Sequence, residues 1–454
     1  WGALIMKKIK NFFRDIAHYP SAVAGMIMIL LLVLLAVYAL IKIPYSEAVR
    51  LWRGGEEVWY QNPKFAPPIW YNWFSEKKQP VSFAVKSGTE PGLMVKKVTV
   101  GEQDTSSIEF TYSFDYNYDA FPQELLLYFT STYTDKQPFV SIYIITPDDR
   151  KVRVSDLGIG ARQTFRFSQD EKLLKRLKTK DVMIGLFSVP GSDPAVPLKG
   201  TYQLLVQGVT FEKDSDINAE FVMHGTVAGW AGTDHQRRDL MVSLLWGAPV
   251  ALAFGLLAAV FTAVLTMIIA AVGTWYGGWV DALIQRITEV NMVLPFLAIL
   301  IMVGTFYTRS IWLILGVTVA LSIFTSSIKS YRSMFMQVKE STYIEAAKAY
   351  GASNSRIIFQ YLIPRIIPLL IPALVSSVPS YVFLEASLAI LGLGDPVLPT
   401  WGKMINDAET NGALYKGLYY WILEPAVLLM FTGLGFAALG FALDRIFNPK
   451  LRGL

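Results

Sequence analysis

Tyr343–Pro368, YIEAAKAYGASNSRIIFQYLIPRIIP, is a charged, helix-prone stretch between two long apolar runs. From Ser341 to Tyr350 the residues favour a helix that Ser341 or Thr342 can cap. Gly351 can take the left-handed conformation that ends such a helix. Ser353 or Asn354 can then cap a second helix that enters the next apolar run. Ala346 and Ala347 leave one side of the first helix nearly bare, so another protein's surface can approach its backbone, with Glu345 offering a charge at the contact. Pro364, Pro368 and Pro372 recur every four residues on one face of the second helix, where neighbouring helices can satisfy the freed carbonyls. The same residues also suit a helix that only lies on a membrane surface.

The apolar runs recur along the chain. Of 454 residues, 53% are hydrophobic and 17% charged, and mean hydropathy is +0.38, values that point to a membrane protein. Ser21–Ile41 carries no charge and follows Lys7, Lys8, Lys10 and Arg14. It is too long for a typical signal-peptide core and predicts a retained spanning helix. Leu240–Val280 is also uncharged, and the GAP at Gly247–Pro249 is expected to divide it into a short helix and a span over 250–272. The runs Val290–Thr308, Ser310–Ile328, Ile366–Leu384 and Pro425–Leu443 bring the expected spans to six. Much of the net charge of +5 sits beside these runs, where basic residues set orientation, so no nucleic acid is needed to explain it. The absence of cysteine excludes disulfides, thiolate catalysis and Cys-based metal sites. His18, His224 and His235 are too scattered to suggest a metal cluster.

Between the first two spans the pattern changes. ELLLYFTSTY, FVSIYIITP and GTYQLLVQGVTF read as strands, and TPDDRK at Thr146–Lys151 as the turn of a hairpin. SQDEKLLKRLKTKD predicts a helix capped by Ser168, with Glu171 in its first turn and its leucines facing a sheet. The expected structure is a β-sandwich of about 150 residues, long enough to hold itself by its own core. Basic residues in the short loops place the N-terminal tail, the 341–364 segment and the C-terminal tail in the cytoplasm, and the β-region outside.

EAAKAYG followed by LIP resembles the EAA loop of permease subunits of ATP-binding-cassette (ABC) importers. GTDHQRRDLMVSLLWGAPVAL at Gly232–Leu252, YGGWVDALIQRITEVNMVLPFLAI and EASLAILGLGDPVLPTWGKMI at Glu385–Ile405 are similar to further segments of that family, in order. Together with APP at Ala66–Pro68 they resemble the C-type permease subunits of dipeptide, oligopeptide and nickel importers. Arg237 stands where the family usually has Gly, and Pro249 where Arg is common. Typical members have only a short connection where this chain carries the β-region.

The resemblance implies a mainly α membrane protein with six transmembrane helices of the type I ABC importer fold. A β-sandwich-like extracytoplasmic domain is inserted between helices 1 and 2. The expected division is a cytoplasmic tail over 1–20, the first helix over 21–43, the insertion over 44–235, a permease core over 236–447 with the coupling loop at 341–364, and a tail over 448–454. The resemblance further implies one half of a translocation pathway, completed by a homologous B-type permease subunit, fed by an extracytoplasmic solute-binding protein and driven by two ABC ATPase subunits. Those ATPases grip Glu345, Ala346, Ala347 and Gly351. No GxxxxGK[ST] loop occurs in the chain, so ATP and Mg²⁺ are expected to be bound by the partner ATPases, not by this chain, which is not expected to be an enzyme. Candidate outer-mouth or pathway residues are Asp234, Arg238, Asp239, Glu385, Asp395 and Trp401. Glu289 and Glu385 are ionisable residues beside apolar runs and therefore functional candidates, or boundary residues that serve packing. Trp401 can be an interfacial anchor or a contact for the binding protein. Gly433 and Ala437 form a small-xxx-small pair suited to helix packing. Peptides are the default cargo, with oligosaccharides and nickel as alternatives. A membrane-anchored glycan-binding or enzymatic β-domain is the reading from a different class, against which five further spans argue.

Overall fold

The structure, a computed structural model, describes residues 19–87, 94–101 and 104–447. Most of the two expected cytoplasmic tails, with Lys7, Lys8, Lys10, Arg14, Lys450, Arg452 and His18, falls outside the described residues. The chain forms two compact units. One is Gly54–Met241; the other joins the residues up to Arg53 with those from Val242 onward.

Apolar helices build the second unit. Helix α1 (Pro20–Lys42) opens on a proline, whose missing N–H costs nothing in the first turn. It is followed by α2 (Tyr45–Arg53), an amphipathic helix inside the region expected to be β-rich. Its Ala48 is buried with Trp246 and Val250, and the Trp246 indole donates to the Ile43 carbonyl at 3.0 Å. Among the described residues four helices are long and apolar enough to cross a membrane: α1, α5 (Leu240–Tyr276), α11 (Asn354–Leu393) and α13 (Tyr420–Phe447). Two bent pairs raise the number to six if each is one span: α6 (Gly278–Val293) with α7 (Phe296–Phe306), bent by 77°, and α8 (Ile311–Ile323) with α9 (Ser326–Lys339), bent by 49°.

The bends and prolines depart from expectation in instructive ways. Val290–Thr308 is not one helix, because Pro295 drives Leu294 into extended backbone and separates α6 from α7. Gly247–Pro249 does not break α5, which runs through Pro249 uninterrupted. The Leu244 carbonyl, five residues before it, accepts a hydrogen bond from the Trp401 indole at 2.9 Å, which braces this part of α5 from another element. The carbonyl that Pro249 itself leaves without a helical donor is that of Leu245. At α11 the freed carbonyls are handled locally. Ile357–Leu362 forms a π-helical turn just before Pro364, a widening that re-satisfies backbone groups displaced by a proline. Gly433 packs against the Phe383 ring of α11, and further along the same helix Gly440 meets Ser376. The small residues of α13 are therefore a packing face.

The β-rich unit is a sandwich of two antiparallel sheets. The first orders β1 (Phe83–Lys86), β9 (Asp216–His224), β4 (Glu124–Thr132) and β7 (Arg162–Arg166). The second orders β2 (Met94–Val100), β3 (Ser106–Tyr116), β8 (Gly200–Thr210), β5 (Phe139–Ile145) and β6 (Lys151–Gly158). Alternation is strict in β3, where Ile108, Phe110, Tyr112, Phe114 and Tyr116 point inward, as a half-buried strand requires. The Tyr112 hydroxyl reaches the Ala219 carbonyl of the other sheet at 2.8 Å, so its one polar atom is satisfied within the core. Thr146–Lys151 is the β5–β6 turn, as its sequence predicts. The helix α3 (Glu171–Leu177) is capped by Asp170, which accepts from Leu173 N, and not by Ser168. Ser168 lies in the preceding turn and bonds Glu124 instead. The leucines of α3 do face the core. The helix α4 (Val182–Phe187) adds Leu186 and Phe187 to it.

His224 of β9 is buried in this unit. Its Nε2 lies 2.9 Å from the Tyr60 carbonyl and its Nδ1 3.2 Å from the Arg237 guanidinium. Since a guanidinium only donates, Nδ1 accepts and Nε2 carries the proton. Burial first, and the neighbouring charges of Arg237 and Arg166, push its pKa down to about 4. A folded-state pKa below the ordinary 6.5 means the unfolded chain binds more protons between those values. Stability is thus present in full above pH 6.5 and lost as pH falls towards 4, by about 3 kcal/mol. Hydrogen exchange of β9 amides in the full chain should show this slope, and His224→Gln should flatten it.

Candidate coupling helix and hydroxyl-lined cleft

The short helix α10 (Thr342–Ala349) stands between α9 and α11. Ser341 occupies its N-cap position, but its hydroxyl bonds the Val338 carbonyl and does not cap the helix. The C-terminus follows the sequence closely. Gly351 has φ +77°, its N–H bonds the Lys348 carbonyl at 2.9 Å, and Ala352 N–H bonds the Ala347 carbonyl at 3.0 Å. This paired closure is a Schellman motif, which ends the helix sharply. Ser353 then caps α11 by accepting from Arg356 N.

One face of α10 is anchored and the other is open. Ile344 and Ala347, one turn apart, are buried, and Ile344 belongs to a cluster with Met267, Trp275, Phe335 and Ile357. Lys348 lies 4.8 Å from the centre of the Trp275 ring, a cation–π contact. Lys339, at the end of α9, donates to the Thr274 and Trp275 carbonyls that end α5. The short helix is thereby tied to α5, α9 and α11 at once. Glu345, Ala346 and Gly351 are exposed. Ala347 belongs to the anchored face, a correction to the expectation that both alanines form the bare side. At 100° per residue, adjacent alanines cannot share one narrow face.

Beside the break between α8 and α9 lies a half-open cleft of about 210 Å³, lined by Thr262, Thr266, Ser322, Ser327, Tyr331 and Ser377 among others. No charged side chain is among its described lining residues. The break itself is stabilised from outside. Asn291 donates to the Leu321 and Phe324 carbonyls at 2.8 Å each, and the Thr266 hydroxyl to that of Ile323 at 3.1 Å. These side chains replace the helical partners that the bend removes. The Thr262 hydroxyl has no hydrogen-bond partner among the described residues. Sequence reading overlooked this cleft, although hydroxyls at 262 and 266, four apart inside an uncharged run, were a usable sign.

The remaining candidates separate into fasteners and a buried acid. Thr233 and Asp234 bind the Pro63–Pro68 segment. Thr233 Oγ1 accepts from Ala66 N and donates to the Pro63 carbonyl, at 3.0 and 2.8 Å, and Phe65 N bonds the Asp234 carbonyl. Asp234 (0% exposed) and Arg238 (5%) form a buried ion pair at 2.5 Å. Asp239 accepts from Met241 N and starts α5, and burial raises its pKa. Arg237 has φ +67°, the backbone region that favours glycine. Its guanidinium bonds the Asn62 carbonyl at 2.6 Å and sits 3.8 Å from Glu56, contacts that offset the strain and that a glycine would lack. Asp395 accepts from Ile311 N and Val397 N, fastening its loop to the start of α8. Trp401, at the start of α12 (Trp401–Thr410), is 1% exposed and packed on Gly247. It is neither an interfacial anchor nor accessible to a binding protein. Glu289 is half-exposed beside Arg286 and Lys329. Glu385 is buried, next to Thr400.

Residues 255–453, which include the short helix and the cleft, match the family model for the binding-protein-dependent transport system inner membrane component. The dipeptide transport system permease protein DppC of Bacillus subtilis is 30% identical over 224 residues, 49% of this chain and 69% of that protein. The chain belongs to this permease family. The oligopeptide transport system permease protein OppC of Bacillus subtilis is 28% identical over 49% of this chain and 72% of its own length. The glutathione transport system permease protein GsiD of Escherichia coli is 28% identical over 54% and 78%. The permease is thus an inner membrane component of an ABC importer, and its family is one of transporters, not enzymes. Its helical unit carries the matched region, and the sandwich precedes it in the chain.

Proposed function

We propose that this permease forms half of an ATP-driven peptide importer, with α10 docking into an ATPase subunit and the hydroxyl-lined cleft forming part of the path. The observation that carries the reading is the two-faced short helix: Glu345 and Ala346 open, Ile344 and Ala347 buried, with Ile344 packed against α5, α9 and α11. A push on such a helix is delivered to three membrane elements together. A second, homologous permease completes the pathway, two ABC ATPases bind ATP and Mg²⁺, and a solute-binding protein delivers cargo. The 341–364 segment and both tails face the cytoplasm, and the sandwich lies outside.

Peptide cargo is supported by the relatives' names and by the chemistry of the cleft. Hydroxyls can donate to and accept from amide groups without selecting a side-chain charge. The same lining, free of imidazole and carboxylate, is poorly matched to nickel.

The chain has no cysteine, so a single introduced thiol reports one position. With the partner subunits present, Thr262→Cys is expected to react with a charged, water-soluble thiol reagent at a rate that changes about tenfold on adding ATP. Leu434→Cys, on an exposed apolar position of α13, should remain unreactive in the bilayer. An ATP-independent rate at 262 equal to that at 434 would falsify the pathway assignment.

A further inference from the structure

Three tryptophans and a phenylalanine gather at the surface of the β-rich unit, where the chain enters and leaves the sandwich. Ile69–Trp73 is a short turn directly after Ala66–Pro68. It is held to the returning segment by Ile69 N to the Gly229 carbonyl at 2.9 Å and by the Trp70 indole to the Trp230 carbonyl at 3.0 Å. The Trp73 and Trp230 rings meet edge to face at 6.1 Å, and those of Trp70 and Phe74 at 6.3 Å. Despite this contact, Trp73, Phe74 and Trp230 are 70, 81 and 61% exposed. Clustering this much aromatic surface in water is unfavourable unless something covers it. The turn continues through Ser75, Glu76, Lys77 and Lys78, all exposed. Asp119, paired with Lys199 at 2.6 Å, accepts from Lys78 N, so the charges of this border, three cations and two anions, leave a net positive edge.

We propose that this cluster is a lipid anchor: the rings of Trp73, Phe74 and Trp230 seat in the headgroup layer of an anionic bilayer, and Lys77 and Lys78 meet lipid phosphates. Three features select a lipid surface as the occupant. Tryptophan, with an apolar ring and one N–H donor, prefers the membrane–water interface over either water or hydrocarbon. The two lysines complement anionic headgroups. The segment that carries Trp230 runs into Leu240, the first residue of a helix long and apolar enough to cross the bilayer, so the patch is tethered by a short stretch of chain to a membrane element. The inference needs only that the protein is membrane-embedded. It does not depend on the cargo or on the ATPase contact.

The test uses the full chain in nanodiscs, with Ser75→Cys carrying an environment-sensitive fluorophore, which leaves all four aromatic residues in place. Lys172→Cys, exposed on α3, is the water-facing control. In nanodiscs of equal phosphatidylcholine and phosphatidylglycerol, the label at 75 should emit at shorter wavelength than that at 172. Headgroup-region spin-labelled lipid should quench it about two-fold more. Adding Lys77→Glu and Lys78→Glu should remove most of that excess quenching in anionic nanodiscs and leave it unchanged in phosphatidylcholine alone. Emission and quenching at 75 equal to those at 172 overturn the proposal. So does a blue shift that appears only when a solute-binding protein is added.

Discussion

Ala346→Trp is expected to abolish ATP-dependent transport while leaving the permease folded and inserted. Ala346 is exposed and points away from the Ile344 and Ala347 face, so an indole there meets no atom of the chain's own core. It would instead occupy the face proposed above to dock an ATPase subunit. Loss of a tightly packed contact at the centre of an interface costs 2 kcal/mol or more, about 100-fold in association when the loss approaches 3 kcal/mol. Co-purification with the ATPase subunits and the ATP response of the Thr262 thiol should both disappear, with the melting temperature unchanged. Ala347→Trp should behave in the opposite way. That position is buried, and overpacking it costs about 1–3 kcal/mol of stability. The contrast between neighbouring alanines is the diagnostic, because both substitutions are chemically identical. Equal behaviour of the two variants would remove the basis for assigning an outward docking face.

Arg238→Leu is expected to be the most destabilising single change in the strap that joins the sandwich to α5, by about 3–5 kcal/mol. It strands the fully buried Asp234 carboxylate, whose remaining donors among the described residues include the N–H groups of Gln236 and residue 238. Removing both partners with Asp234→Leu and Arg238→Leu should recover most of the loss, since an apolar pair leaves no buried charge. Limited proteolysis after Pro68 and thermal unfolding of the full permease would measure both. A pathway role predicts a different result, namely lost transport with stability intact in the single variant.

Much of this architecture was legible because it rests on local rules. Uncharged runs long enough to cross a bilayer must be helical, since backbone polar groups find no water there. Alternation through Ile108, Phe110, Tyr112 and Phe114 marks a strand with one buried face whatever lies against it. Gly351 announces a helix end because few other residues tolerate its backbone angles. The cleft was less visible. Its hydroxyls are single residues on separate helices, and nothing in any one run shows that Thr262, Ser322 and Ser377 converge.

The sequence by itself determined the helical or strand character of most segments, where the short polar helix ends, and that the chain carries permease motifs. Those properties follow from side-chain periodicity and from backbone geometry within a few residues. Only the tertiary structure decided that Ala347 faces inward, that α5 continues through Pro249, and that Trp401 and the Asp234–Arg238 pair are structural. Each of those outcomes depends on packing that no short run displays: the burial of Ala347, the Trp401 indole seated against Gly247 and Leu244, and the desolvation of the Asp234 carboxylate, which its neighbours must compensate. Burial and hydrogen-bond satisfaction are properties of the assembled packing, so no local pattern could have assigned them.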